Sequence, residues 1–441
     1  MIQRLKTVIF FALFPAIAGG QSATDTAATP ITLAEAIRLA QQNSPLTVQA
    51  RGTIQTSSAS VKQAYSAFLP SINLSAGTSH QSGDRFDTQG NLVPFIGNPT
   101  SYSTGLNASW QLFDGGRRFF DIRKNIADVN AAEASEVTQK YQVGLQVKEQ
   151  YYNILAARES QSAAQAQIDQ ATQELNASSL RLRAGAATTS DSLRSVIQLG
   201  NARLALLSAQ NNLSLANATL TRLVASTHPV TATVSDTLDQ SVVIPSLAEL
   251  EPLVQHAPLV EQADAQLKSA EAASRSAKTT FLPTVNLNFS RGGSGLDPLF
   301  GNGDKRFAYN QSLNFGLSFP LFNNLGREMT VLRASVAEDN AEVALRDARL
   351  QAHETLVQTL GQMTTAKEQV NIQTVSVAAA LEDLRVQQKR YELGASTFLD
   401  VLTSQTQLDQ SRTALIRARF DYRVAKAQLE ALIGRDLQET H

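Results

Sequence analysis

The sequence predicts a mainly α protein with a minor β component, written as two copies of one plan. Three observations carry that expectation. The stretches "FLPSINLSAG" (residues 68–77) and "FLPTVNLNFS" (residues 281–290) are near-copies 213 positions apart. After each proline the apolar pattern becomes strictly alternating: Ile72, Leu74 and Ala76 oppose Ser71, Asn73 and Ser75, as Val285, Leu287 and Phe289 oppose Thr284, Asn286 and Asn288. Between residues 117 and 183 there is no proline, and Ile122, Ile126, Val129, Val137, Tyr141, Leu145, Tyr152 and Leu155 recur at helical steps.

The 441-residue chain opens with Arg4 and Lys6 before the apolar run of residues 8–14 and the small-x-small stretch Ala16-Ile17-Ala18. This reads as a secretory signal over residues 1–18, too short to span a bilayer as a helix. No later run approaches the roughly 20 apolar residues a transmembrane helix needs. An exported chain that is not a helical membrane protein is expected. Net charge is −1, which gives no reason to expect a nucleic-acid partner. Without cysteine there is no disulfide, thiolate metal site or lipid-modified Cys, and His80, His228, His256, His353 and His441 are scattered.

The duplication reaches beyond the opening pair. "TLAEAIRLAQQNSPL" (32–46) is answered by "SLAELEPLVQHAPL" (246–259), "WQLFDGGRR" (110–118) by "FPLFNNLGR" (319–327), and "LRAGAATTSDSL" (182–193) by "YELGASTFLDVL" (391–402). The expected organisation is a first repeat over 31–225, a linker over 226–245, a second repeat over 246–434 and a tail over 435–441. The offset falls from 213 at Phe68/Phe281 to 209 at Leu112/Leu321, so the loop between absorbs the difference.

Each repeat orders its elements alike. A helix ends at Phe-Leu-Pro and a strand follows. A loop rich in Gly, Asn, Asp and Pro leads to a second strand, in which Leu106, Ala108, Trp110 and Leu112, or Leu313, Phe315, Leu317 and Phe319, alternate with polar residues. Pro70, Pro283 and Pro320 sit at joints, where a missing N–H is tolerated. The strand runs into a helix of roughly 100 Å, which needs lateral partners because its polar faces leave no dense core stripe. Gly185 and Gly394 stop the helices, and Thr188-x-x-Asp191 and Thr397-x-x-Asp400 read as capping boxes that start the returning ones. On the return, Leu193, Ile197, Leu204 and Leu207 keep the helical step.

One face of the four strands is aliphatic and aromatic; the other is Ser, Asn, Thr, Gln and Gly, nearly without charge. A soluble sandwich on a coiled-coil spacer, a structural envelope protein without a channel, is the alternative reading. Export and an uncharged polar face favour a water-filled lumen. Strands in lipid must close into a barrel, and four cannot, so two copies would give eight strands and three would give twelve.

"TLAEAIRLAQQNSPL", "FLPSINLSAG", "LFDGGRR" and "RYELGASTFLDVL", in this order, make the sequence resemble the TolC-type outer-membrane efflux channels over roughly residues 33–434. The resemblance implies a homotrimer with a 12-stranded transmembrane β-barrel in outer-membrane lipid, four strands per protomer, continued by a long α-helical barrel in the periplasm. It implies a periplasmic adaptor protein and an inner-membrane transporter as partners, and an iris-like gate at the helical tip. By position the gate would pair Tyr391 with Asp191. Where the best-known members carry a supporting Arg two residues after the second glycine, this chain has Ser396, and Thr403 stands at the place of an acidic ring. Arg390 or Arg183 could then supply the latch. Asp191 and Asp400 have a second reading as helix caps, and Gly185 and Gly394 suit tight reversals.

Nothing points to an enzyme or a cofactor. There is no nucleophile–base pair or metal constellation, and Asp114-Gly115-Gly116-Arg117-Arg118 lacks the spacing and Lys of a phosphate cradle. Phe68, Phe113, Phe281 and Phe322 mark the strand–helix joints, either as an aromatic belt at the membrane's inner interface or as packing between barrel and tunnel.

Overall fold

The computed structural model describes residues 28–94, 100–185, 187–233, 244–298, 300–301 and 306–437. The expected signal at 1–18 and the middle of the linker lie outside them. A short strand β1 (Thr29–Ile31) precedes helices α1 (Leu33–Asn43) and α2 (Pro45–Ser66), then strand β2 (Ser71–His80). A small hairpin, β3 (Asp84–Phe86) and β4 (Leu92–Pro94), leads to β5 (Thr100–Phe113), α3 (Arg117–Arg183), α4 (Thr189–Leu223) and β6 (Val230–Ala232). The second repeat runs α5 (Leu247–Val254), α6 (Pro258–Lys278), a 3₁₀ turn, β7 (Thr284–Gly295), β8 (Phe307–Ser318), α7 (Gly326–Glu392) and α8 (Phe398–Ile433). The two long helices have the same length, 67 residues.

The four long strands form one antiparallel sheet in the order β2-β5-β7-β8, so the hairpins of the two repeats join side by side. Among the described residues no second sheet packs on it, which removes the sandwich. Its register stacks Ile72, Ala108, Phe289 and Leu313 in one apolar row, and Ser71, Ser109, Asn288 and Asn314 in one polar row on the other face. Ser109 Oγ donates to Asn288 Oδ1 at 2.8 Å, and the hydroxyls of Ser290 and Ser312 meet at 2.9 Å, so the polar face is cross-linked within itself. Both faces stand open to solvent in the single chain; Leu74 and Phe315 are 74% and 70% exposed.

The joints below the sheet repeat one device with one difference. Gly115 and Gly116 adopt φ of +73° and +82°, and their counterparts Asn324 and Leu325 adopt +55° and +62°. At Gly115 a Cβ would lie 2.6 Å from Leu282 Cβ and 2.9 Å from Thr279 O, so close approach as well as φ demands glycine. Arg118 lies over the Phe68 ring and Arg327 over the Phe281 ring, at 4.6 and 5.0 Å. Packing at the joint is therefore a role of Phe68 and Phe281. Asp114 accepts from Gly116 N and from Arg118 N and Nε, each at 3.1 Å. The second repeat has Asn323 in place of Asp114, and Arg327 Nε is buried without a hydrogen-bond partner.

Helix packing follows the apolar series read from the sequence only in part. On α4, Leu193, Ile197, Leu204 and Leu207 are exposed in the chain, while Ser195, Leu199, Ala202, Ala209, Ala216 and Leu220 face inward. On α3, Ile122, Tyr152 and Leu155 of the series are buried, the last two in one core with Val143, Val147, Tyr151 and Ile154, whereas Ile126 and Val137 are exposed. Small residues let the helices approach closely, which leaves the large aliphatic side chains for outside contacts.

At mid-length the chain is belted. β1 pairs in parallel with β6, and Arg158 on α3 donates to the carbonyls of Ala232 and Thr233 at 2.7 and 3.0 Å. Nearby, Lys148 bridges Glu430 (2.6 Å) and Asp436 (2.7 Å). Burial pulls the Lys148 ammonium down, but these two carboxylates outweigh it and hold its pKa above the ordinary value.

Candidate functional site

The far end of the helical rod carries the residues singled out as a gate. α3 closes with Ala184 N donating to Leu180 O and Gly185 N to Leu182 O, both at 3.1 Å, and Gly185 takes φ +74°. α7 closes alike: Leu393 N donates to Lys389 O, Gly394 N to Tyr391 O and Ala395 N to Arg390 O, with Gly394 at φ +73°. A Cβ would meet nothing within 4 Å at either glycine, so the positive φ alone selects them.

Both capping boxes form. Thr188 Oγ1 accepts from Asp191 N at 3.2 Å while Asp191 Oδ2 accepts from Thr188 N and Oγ1, and Thr397 and Asp400 repeat the arrangement. The Asp400 carboxyl is held below its usual pKa, first by the Thr397 backbone N–H, with the charge of Arg390 adding to it. Thr403 donates to Leu399 O within its own helix at 2.9 Å, and Ser396 Oγ reaches Gln387 O at 3.4 Å.

Within the single chain, among the described residues, the tie between the two tips involves Tyr391 but neither Asp191, Arg183 nor Arg390. Tyr391 packs on Phe398 with ring centroids 5.7 Å apart. Arg181, on the last turn of α3, lies 4.5 Å above the Tyr391 ring and donates to Tyr391 O at 3.2 Å. Within the single chain, among the described residues, no hydrogen bond joins Tyr391 to Asp191. Sequence reading passed over Arg181. Its available signal was a basic residue four positions before the glycine, where side chains serve helix C-termini.

A second tie lies above the tip. Asp409 on α8 accepts from Gln167 on α3 at 2.8 Å and from Gln405 at 3.2 Å. Gln170 donates to Gln405 and, at 3.3 Å, to Glu174. Burial pushes the carboxyls of both Glu174 and Asp409 up, and the Asp409 charge adds to the rise at Glu174, while Arg412 and the glutamines oppose it at Asp409. Asp409 and Gln167 also line a cleft of about 720 Å³ between α3, α4 and α8. Spacing alone did not reveal this group, because i, i+4 Gln/acid pairs also occur on any solvated helix face.

Comparison with known proteins fits this geometry. The family described as "Outer membrane efflux protein" matches residues 36–226 and 250–435. The chain is 27% identical to protein CyaE of Bordetella pertussis, over 85% of this chain and 78% of that one. It is 26% identical to the pyoverdine export outer membrane protein OpmQ of Pseudomonas aeruginosa, over 86% and 79%. Among solved structures, CusC superposes with a TM-score of 0.78 at 19% identity, covering 93% of this chain and 94% of that one.

Proposed function

The chain belongs to the outer membrane efflux protein family, and from that premise we propose how its copies assemble, what they dock to and where they open. It is an outer-membrane efflux channel of the tripartite efflux and secretion systems, with the TolC/CusC-like fold. No helix among the described residues is long and apolar enough to cross a membrane; the sheet, with one apolar and one polar face, would be the membrane element.

One observation carries the assembly: every layer of the chain is an open row of elements with its two edges on the same flanks. The sheet ends in β2 and β8. Below it the helices run α2, α3, α6, α7, and toward the tip they run α4, α3, α8, α7. The exposed aliphatic side chains concentrate on these edges, with Leu193, Ile197, Leu204 and Leu207 on α4 and Leu332, Val336, Leu350 and Val357 on α7. Three copies closing edge to edge would join β8 to the next β2, making twelve strands, and lay α7 on the next α2 near the sheet and on the next α4 toward the tip as a continuous tube. The repeats (31–225 and 246–434) would each supply a hairpin to the barrel, and the linker and tail would form a belt around the tunnel.

The tube would conduct passively. A periplasmic adaptor protein and an inner-membrane transporter would dock at its inner end and provide the energy. The tip would be the gate, with Gly185 and Gly394 as its reversals and the Arg181–Tyr391 tie as the latch within each protomer; Asp191, Asp400, Ser396, Thr403, Arg183 and Arg390 would border it.

Because the chain has no cysteine, engineered pairs test the closure without background. A cysteine at Ser75 on β2, combined in turn with cysteines at Asn310, Ser312 and Asn314 on β8, should trap a ladder ending at three chains in at least one combination. A ladder that continues past three, or only intramolecular products, would reject ring closure.

A further inference from the structure

The two hairpins share a plan but differ at their outer ends. On the lipid face of the second hairpin, Arg291 stands in the row Leu74, Leu106, Arg291, Gln311, immediately above the apolar row of Ile72, Ala108, Phe289 and Leu313. It is the one permanently charged side chain on the four long strands. A cation on this face costs about 2–4 kcal/mol at the bilayer midplane and close to nothing near the interface, so its level matters.

A built aromatic platform surrounds it. Tyr309 lies under the Arg291 guanidinium at 5.2 Å and packs on Phe307 with centroids 5.2 Å apart. Phe300 meets Phe307 and Tyr102 edge to face, each at 6.2 Å. Two features fix the platform. Gly293 leaves room for the rings, since a Cβ there would lie 2.4 Å from Phe307 Cε1 and 2.7 Å from Tyr309 Cε1. The Tyr309 hydroxyl donates to Phe300 O, holding Phe300 at φ +53°. In the first hairpin the positions aligned with Arg291 and Tyr309 are Thr78 and Thr100, so the first copy lacks the arrangement.

Stacking on Tyr309 occupies one face of the guanidinium and leaves its N–H edge for a ligand; among the described residues Arg291 donates to no protein acceptor. We propose that Arg291 and the Tyr309–Phe307–Phe300–Tyr102 platform form a binding site, one per protomer, for the phosphorylated sugar head group of an outer-leaflet glycolipid of the lipid A type. The proposal rests on the closed-barrel reading, which turns the apolar face toward lipid. The site lies at the sheet end away from the helices, which is the outer leaflet, and that leaflet is built of phosphorylated glycolipid. Arginine suits phosphate through its planar fork of donors, and aromatic faces suit the apolar faces of sugar rings.

The test is native mass spectrometry of the detergent-extracted protein titrated with bisphosphorylated lipid A, dephosphorylated lipid A or phosphatidylglycerol. The expected result is one bisphosphorylated lipid A per protomer, held about tenfold more tightly than the dephosphorylated form. Arg291→Gln should lose that preference and Arg291→Lys keep part of it, while Gly293→Ala, which displaces the rings but keeps the charge, should weaken binding of the glycolipid. Equal binding of phosphatidylglycerol, or wild-type affinity in Arg291→Gln, would overturn the proposal. The same spectra report subunit number: an intact trimer without selective binding rejects the site alone, whereas a monomer rejects the barrel reading beneath it.

Discussion

Arg181 of the first repeat lies 4.5 Å above the ring of Tyr391 in the second and donates to its backbone carbonyl. This contact ties the last turn of α3 to the last turn of α7, the two helices whose separation would open the tip. Arg181→Ala should raise the open fraction of channels in planar bilayers by about 30-fold or more, the sum of one cation–π contact and one charged hydrogen bond. Arg181→Lys should fall between, because an ammonium keeps the charge but not the flat stack. Unchanged conductance in Arg181→Ala would remove this residue from the latch.

Asp191 is occupied by its cap, so its replacement should act on α4 before it acts on the gate. Asp191→Ala should fray the start of α4, seen as faster amide exchange over the first turn. Tyr391→Phe should leave the Arg181 stack in place, and combining it with Asp191→Ala tests the latch read from family position. A direct tie is already lost in either single variant, so a conductance rise in the double variant that falls well short of the sum of the two single effects would restore a direct Tyr391–Asp191 tie in the assembly.

The carboxyls of Glu174 and Asp409 are raised by burial, so the folded chain binds protons more readily there than the unfolded one. Their contribution is present in full below the ordinary values of 4.5 and 3.8 and is lost as pH rises through the raised ones. The α3–α8 clasp should therefore tighten in acid. Conductance should fall as pH is lowered toward those values, and Asp409→Asn with Glu174→Gln should flatten the profile. A profile unchanged in that double variant would assign the pH response elsewhere.

The joint in the second repeat lacks the carboxylate that the first one has. Asn323→Asp should give the buried Arg327 Nε an acceptor and raise stability by about 1–3 kcal/mol, read as a higher Tm. Asp114→Asn should lose a similar amount, since Asp114 serves three donors around Arg118. Equal Tm values for both variants and the parent would show that neither joint depends on the carboxylate.

Gly185→Ala and Gly394→Ala should each cost about 1 kcal/mol through positive φ alone, with no steric term, and the two should add. Thermal melts of the single and double variants check this.

The duplication, the alternating strands and the bounds of the first long helix were legible because each rests on local chemistry: prolines at joints, a period change, glycines after a proline-free run. The capping boxes at Thr188/Asp191 and Thr397/Asp400 were legible for the same reason. What escaped was set by tertiary partners. β1 and β6 are three residues each and pair across some 200 positions, so neither carries a period. The series Leu193, Ile197, Leu204, Leu207 has helical spacing but faces away from its own chain, because amphipathicity does not say which copy supplies the partner. Arg181 escaped because a basic residue near a helix end is ordinary; only the fold places it over Tyr391.

The central claim is that this four-stranded sheet closes with its own copies in the outer membrane. The most direct measurement is the native mass of the protein extracted from outer membranes in mild detergent. Three chains per particle is the predicted result. A single chain, or protein that leaves the membrane fraction without detergent, would contradict it and require another cover for the apolar face of the sheet.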